Sequence, residues 1–245
     1  MITKENANNP LIFPKIQKKY QKAYTLAEVL VTLTVIGVVC ALTIPTLYKK
    51  HEERVTITKL QNFYSTLNSA YNVAISTRGN AKYWNTKPWN ETSANNLYEV
   101  LFKPYFKIKK DCKTTNEGNC ILNDNYVTFL GKKHFNYSEH NNYYKILLND
   151  GAQIWVRGGD PEIPTEYLAV YYDVNGNKKP NRIGIDLFLF QGLNDKIVPD
   201  GIDFFDPTCS VKSGYSCTAW AVFKGNLEYT RCNDLSWNGK QKCKK

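Results

Sequence analysis

Six cysteines, Cys112, Cys120, Cys209, Cys217, Cys232 and Cys243, could either pair or hold a metal. Structural zinc sites draw on closely spaced CxxC-type knuckles, and none occurs here. An even set of this kind suggests three disulfides and an oxidising compartment. Six cysteines admit fifteen pairings; the short spacings suggest Cys112–Cys120, Cys209–Cys217 and Cys232–Cys243. The seventh, Cys40, lies inside an uncharged apolar run, where it is expected to pack as a small hydrophobe. A second group is rich in oxygen. Within DVNGNKKPNRIGIDLF, which begins at Asp173, the residues Asp173, Asn175, Asn177 and Asp186 offer the hard ligands that calcium takes. The spacing is not that of an EF-hand, because Lys178 stands where that loop needs Gly and Gly184 where it needs Glu. Asn-Gly between two apolar runs is also an ordinary turn, and Lys178 and Lys179 oppose a cation. The turn, with no cofactor, is the preferred reading and calcium the alternative. His51, His134 and His140 are scattered and read as surface residues. No Ser nucleophile elbow, phosphate loop or HExxH helix occurs, so no catalytic residue is expected and an enzyme is the least favoured class.

One acid sits where acids are costly. Val29 to Leu47 is nineteen residues long without a charge, roughly 28 Å as a helix, close to the thickness of a bilayer core. Glu28 stands at its start. A carboxylate at the edge of hydrocarbon needs a partner, and such residues mark function by default. The run is longer than the apolar core of a cleaved signal peptide. It leads instead into a helical pattern, in which Leu60, Phe63, Tyr64, Leu67, Ala70, Tyr71, Ala74 and Ile75 recur at steps of three and four. Residues 24–77 are therefore expected to form one helix of about fifty residues, apolar on all sides in its first half and amphipathic in its second. Pro45 is expected to kink it, and Gly79 to cap it. Thr32, Thr34 and Thr43 can bond to backbone carbonyls or across helices.

The remaining elements read as an α+β domain over 78–245. A short helix is expected over Ser93–Phe106, capped by Ser93 and broken or ended by Lys103-Pro104. Strands are expected at Tyr126–Leu130, Tyr143–Leu148, Gln153–Arg157, Leu168–Asp173, Ile183–Phe190, Trp220–Phe223 and Leu227–Arg231. Asn149-Asp150-Gly151 makes residues 143–157 a hairpin. The C-terminal fifty residues carry little regular pattern, so cross-links are expected to shape them.

Ala23-Tyr24-Thr25-Leu26-Ala27-Glu28 resembles the prepilin processing motif of type IV pilins and type II secretion pseudopilins: a small residue, an aromatic one, a Glu five positions into the mature chain, then about twenty apolar residues. Pro45, the twenty-second mature residue, also has its counterpart in many members. Here Ala replaces the usual Gly at 23 and Tyr the usual Phe at 24. The resemblance implies a cytoplasmic leader over 1–23, cut by prepilin peptidase between Ala23 and Tyr24, and N-methylation of Tyr24. It implies a membrane helix over 24–47, an amphipathic continuation over 48–77 and an exported domain over 78–245. It further implies that Glu28 pairs with the new α-amino group of Tyr24, on the same or a neighbouring subunit, and so sets register in a filament with other pilin or pseudopilin subunits and an inner-membrane assembly platform.

Charge agrees with that orientation. The net charge is +10, and the first 23 residues hold five Lys and one Glu, which favours a cytoplasmic N-terminus at the bacterial inner membrane. The positive charge remaining also admits a second class, a minor pilin or competence-type protein that holds DNA or a surface through its exported domain, although no dense arginine cluster supports nucleic acid.

Overall fold

The computed structural model describes residues 24–121, 124–203, 208–209 and 211–244; the expected leader, including Ala23, lies outside them. The chain divides into two compact units, with the boundary after Leu47.

In the first unit the backbone is helical from Leu26, as the start of α1 (Leu26–Arg78), and it stays helical through Pro45. The apolar side chains from Val29 to Leu47 are exposed, and Cys40 is half-buried. The hydroxyls of Thr32, Thr34 and Thr43 donate to the carbonyls of Val29, Leu30 and Val39 at 2.8–2.9 Å. Each is thus satisfied within its own helix.

The second unit takes the amphipathic part of α1 as one layer and a sheet as the other. α1 ends where Gly79, at φ +79°, donates its N–H to the Ile75 carbonyl. Glycine adopts that left-handed backbone without steric cost. A short helix α2 (Glu91–Leu97) follows, and Tyr98–Phe102 forms one wide π turn before Pro104. The cap is Asn90, not Ser93: Asn90 accepts from the Ser93 N–H, and Ser93 reciprocates as the third helical residue. Asn ranks with Ser as a cap, and the reciprocal box decides between them.

Six strands form an antiparallel meander in sequence order: β1 (Ile108–Asp111), β2 (Tyr144–Leu148), β3 (Gln153–Gly158), β4 (Glu166–Asp173), β5 (Leu187–Leu193) and β6 (Lys196–Pro199). The register pairs Ile154 with Tyr172, Trp155 with Tyr171, Tyr172 with Phe188 and Val170 with Phe190. Side chains alternate between faces. Ile154, Val156, Val170, Tyr172, Phe188 and Phe190 therefore pack with Leu60, Phe63, Leu67 and Tyr71 of α1 in the main core. Phe63 lies flat on Tyr172 with ring centroids 3.9 Å apart. Trp155, Ala169, Tyr171, Leu187 and Leu189 face the other way, into a second cluster with Tyr126, Tyr137, Tyr143 and Tyr215.

Four strand expectations need correction. Trp220–Phe223 lies in a helix, α3 (Thr218–Lys224), capped by Gly225 at φ +64°. Thr218 through Val222 are all buried, so no one-sided helical stripe is visible. Leu227–Arg231 holds only a 3-10 turn, Glu228–Thr230. Tyr126–Leu130 makes isolated bridges from Val127 to Lys133 and Arg182 but no strand, because the chain reverses at Gly131, φ +84°. The strand expected from Ile183 begins only at Leu187, since Arg182 to Asp186 form a turn. The two edge strands β1 and β6 carry Lys109, Lys110 and Pro199, residues that suit edges but mask a strand pattern.

The cysteines pair as their spacing suggests: Cys112–Cys120, Cys209–Cys217 and Cys232–Cys243, with Cα atoms 5.4, 5.7 and 5.8 Å apart. All lie within the ordinary range for a disulfide.

Candidate functional site

The first candidate is the head of α1. Tyr24 is 83% exposed. Thr25 precedes the first helical residue, and Glu28 stands three positions on. The Glu28 Oε2 accepts from the Thr25 N–H at 2.8 Å and from the Thr25 hydroxyl at 2.9 Å, while the Glu28 N–H donates to Thr25 Oγ1 at 3.2 Å. This is a reciprocal capping box, which satisfies backbone donors that a helix start leaves open. It also turns the carboxylate back towards the backbone of Tyr24 and Thr25. An amine created at Tyr24 would be one residue from the group that Glu28 already holds. The T-x-x-E spacing carries this signal, and Thr25 is the residue that reading the acid alone overlooks. Pro45 makes no such arrangement; it lies within the exposed apolar helix.

The second candidate is the β4–β5 connection. Asp173, Asn175 and Asp186 come together there. Asp173 Oδ1 accepts from the N–H groups of Asn175 and Gly176 at 2.9 and 2.7 Å, and its Oδ2 accepts from the Tyr126 hydroxyl. Asp186 Oδ1 accepts from the Arg182 N–H at 2.6 Å. Its Oδ2 accepts from the Asn181 N–H at 2.8 Å and from Asn175 Nδ2 at 3.3 Å. Asn177 turns elsewhere, accepting from Gln153 Nε2 at 2.5 Å. Both carboxyls are buried. Burial, and then the charge of Asp186, pushes Asp173 well above the carboxylate range. Burial also raises Asp186, against the opposing pull of the N–H groups it accepts from. The carboxylates spend their lone pairs on the backbone N–H groups of the turn. The side-chain oxygens of Asn175 and Asn181 are buried without a partner.

Two cations are buried as well. Lys145 donates to the carbonyls of Thr114, His140 and Tyr143, and burial pulls its pKa down to about 8. Arg157 donates to Glu166 Oε1 at 2.7 Å and to the Gly158 carbonyl at 2.8 Å. Its guanidinium lies 4.4 Å from the centre of the Trp89 ring. His134 departs from the surface reading: it is half-buried, its Nε2 lies 3.2 Å from the Tyr137 hydroxyl, and burial lowers its pKa. Glu228, Cys232 and Cys243 also converge, but the two sulfurs are bonded to each other and Glu228 accepts from the Cys243 N–H at 2.9 Å.

Comparison with known proteins separates the two candidates. Residues 46–198 match the family of unknown function DUF6613. The chain belongs to that family. The DUF6613 match covers the amphipathic part of α1, the first five strands and all of β6 but Pro199, and leaves α3 and the two C-terminal disulfides outside. Residues 18–44 match the prokaryotic N-terminal methylation motif, the signal of type IV pilin-like and pseudopilin precursors. This DUF6613 chain therefore carries the N-terminal signal of a type IV pilin-like precursor, on a helix long and apolar enough to cross a membrane. No curated protein and no solved structure matches it.

Proposed function

We propose that this protein is a pilin-like structural subunit. Prepilin peptidase cuts the precursor between Ala23 and Tyr24, and Tyr24 is N-methylated. The mature protein waits in the bacterial inner membrane with its N-terminus on the cytoplasmic side and its C-terminal unit outside. It then enters a type II secretion pseudopilus or type IV pilus-like filament beside copies of itself or related pilins, delivered by the inner-membrane assembly platform. The observation that carries this reading is the bare apolar helix headed by Glu28. Eleven Val, Leu and Ile side chains between Val29 and Leu47 are exposed. At roughly 1.5–3 kcal/mol per side chain, leaving them in water costs on the order of 20 kcal/mol. Lipid covers that surface before assembly, and neighbouring helices cover it afterwards. Transfer between two apolar surroundings is nearly neutral, so a local polar contact can decide the register. Glu28 supplies it, because a carboxylate left unpaired in an apolar core costs about 3–5 kcal/mol.

Mass spectrometry of the mature N-terminus, from cells that carry the assembly machinery, tests this. A chain beginning at methylated Tyr24 is expected. An intact Met1, or a cut near residue 47, would overturn it.

A further inference from the structure

We propose that the aromatic pocket on the sheet face away from α1 binds a neutral saccharide. The inference rests on the C-terminal unit alone and stands whether or not the chain enters a filament. A cavity of about 350 Å³ opens there, with Tyr137, Tyr143, Tyr171 and Tyr215 as its floor and Trp89 and Phe135 among its walls. That size is at the low end for ligand sites. The four tyrosines are nearly fully buried, while Trp89 and Phe135 are half-exposed. The half-exposed side chains that meet a ligand are thus Trp89, His134, Phe135 and Ser213, above a floor of tyrosine rings packed edge-to-face.

Charge narrows the ligand class. None of the residues lining the cavity is a carboxylate, lysine or arginine. Arg157 lies behind the wall, and its charge is cancelled by Glu166 at 2.7 Å. It already occupies the cation position over the Trp89 ring, where a quaternary or protonated amine would otherwise bind. A cation therefore finds the Trp89 face already filled, and an anion finds no free positive charge among the lining residues. The polar tips then separate the neutral candidates. His134 Nε2 reaches the Tyr137 hydroxyl, and that hydroxyl bonds to Tyr215. The Tyr171 ring packs against those of Tyr137 and Tyr143, with centroids 4.7 and 5.7 Å away. An aliphatic occupant would cover these groups without adding partners, a desolvation cost. A pyranose ring sets its axial C–H groups against aromatic faces while its hydroxyls extend the hydroxyl chain.

The walls are also fixed in advance. The Cys209–Cys217 disulfide brackets the segment that carries Tyr215. Cys112–Cys120 closes a neighbouring loop of the same cluster. Rigid walls reduce the ordering cost of binding.

Saturation-transfer NMR on the full chain in phospholipid nanodiscs, free of glycosidic detergent, tests the proposal. The probes are cellobiose, maltose, lactose and N,N′-diacetylchitobiose, with choline and glucuronate as charged controls. At least one neutral disaccharide should receive saturation on its ring C–H protons, with a dissociation constant of about a millimolar. Trp89→Ala should weaken it about tenfold or more, and Trp89→Phe should restore part of the loss. Because Trp89 also covers Arg157, Phe135→Ala serves as a second wall variant, and Tyr83→Ala, at an exposed site, should change nothing. The proposal fails if no neutral disaccharide at about 20 times that concentration shows transfer. It also fails if transfer is unchanged in both wall variants, or if a charged control binds more tightly.

Discussion

Replacing Asp173 and Asp186 one at a time by Asn should have unequal effects, although both are buried carboxyls in one turn. Asp186 uses both oxygens as acceptors for backbone N–H groups. An amide there must point its NH2 at one of those donors, forfeiting a charge-assisted bond worth roughly 1.5–3 kcal/mol. Asp173 takes backbone N–H groups on Oδ1 only; Oδ2 meets the Tyr126 hydroxyl, which can accept as well as donate. The amide introduced by Asp173→Asn would keep every contact and remove a buried carboxyl that must either take up a proton on folding or repel Asp186. The expected result is a loss of about 2 kcal/mol for Asp186→Asn and a change between zero and a gain of about 1 kcal/mol for Asp173→Asn near neutral pH. For a unit of this size 1 kcal/mol moves the melting temperature by about 2–4 °C, so the two variants should lie several degrees apart. The pH dependence has a definite sign. Both folded pKa values lie above the unfolded one, so the folded state holds protons that the unfolded chain releases. The stability due to this pair is complete below about pH 4 and is lost as pH rises through the folded values. Asp111 is pushed the other way: burial would raise it, but hydrogen bonds from Tyr144 and Lys113 outweigh that. The difference between wild type and Asp173→Asn isolates the pair, and it should grow in favour of the variant from about pH 4 towards neutrality. Thermal unfolding followed by near-ultraviolet circular dichroism reads this out. Calcium supplies a further arm, since a cation at about a hundred times its dissociation constant adds about 2.7 kcal/mol, whereas the turn reading expects no rise. Equal damage from both variants would refute the hydrogen-bond assignment, and a large calcium-dependent rise lost in Asp173→Asn would replace the turn with a cation site.

Two other outcomes follow from the long helix. Phe63→Ala removes a ring stacked 3.9 Å from Tyr172 in the main core and should cost about 3–5 kcal/mol, read as a fall in melting temperature; a loss under about 1 kcal/mol would mean that α1 is not the sheet's main cover. Glu28→Ala should leave the chain in the membrane fraction but impair its entry into filaments, and unchanged incorporation in a pull-down of sheared filaments would count against charge pairing.

What the sequence made legible follows physical period. The 3.6-residue stripe from Leu60 to Ala74 and the apolar run before it are long, so α1 could be read almost to its last residue. The three disulfides were legible because each joins nearest neighbours. The inner strands could be read because runs of β-branched and aromatic residues stand between turn signals such as Asn149-Asp150-Gly151 and Asn175-Gly176. The ends of the sheet escaped, since Lys109 and Lys110 in β1 and Pro199 in β6 satisfy edge rules instead of core rules. α3 escaped because five consecutive buried residues, Thr218 to Val222, show no one-sided stripe. Of the site residues, Glu28 stands out by its setting, but its capping partner Thr25 needs the fourth-residue spacing to be noticed. The aromatic pocket was not legible at all. Its members come from residues 89, 134–143, 171 and 213–215, which the meander and its loops assemble from four separate stretches.

That assembly explains why the two faces of the sheet differ. The face under α1 meets a single rigid stripe, and close packing of Leu, Ile, Val and Phe is enough to hold it. Among the described residues the other face has no second helix layer of comparable length. It is covered by connecting chain from residues 112–143 and 211–217, where the regular structure described is two short 3-10 helices and a few bridges. Such a cover cannot repeat a backbone hydrogen-bond ladder, so it relies on large amphipathic rings and on cross-links. Tyr126, Tyr137, Tyr143 and Tyr215 bury wide apolar area, while the Tyr126 hydroxyl bonds to Asp173 and those of Tyr137 and Tyr215 bond to each other. The disulfides Cys112–Cys120 and Cys209–Cys217 limit what the loops can do when unfolded. Within one such chain, the scaffold is set by the stripe and the meander, while recognition is set by which rings the loops bring to the outer face.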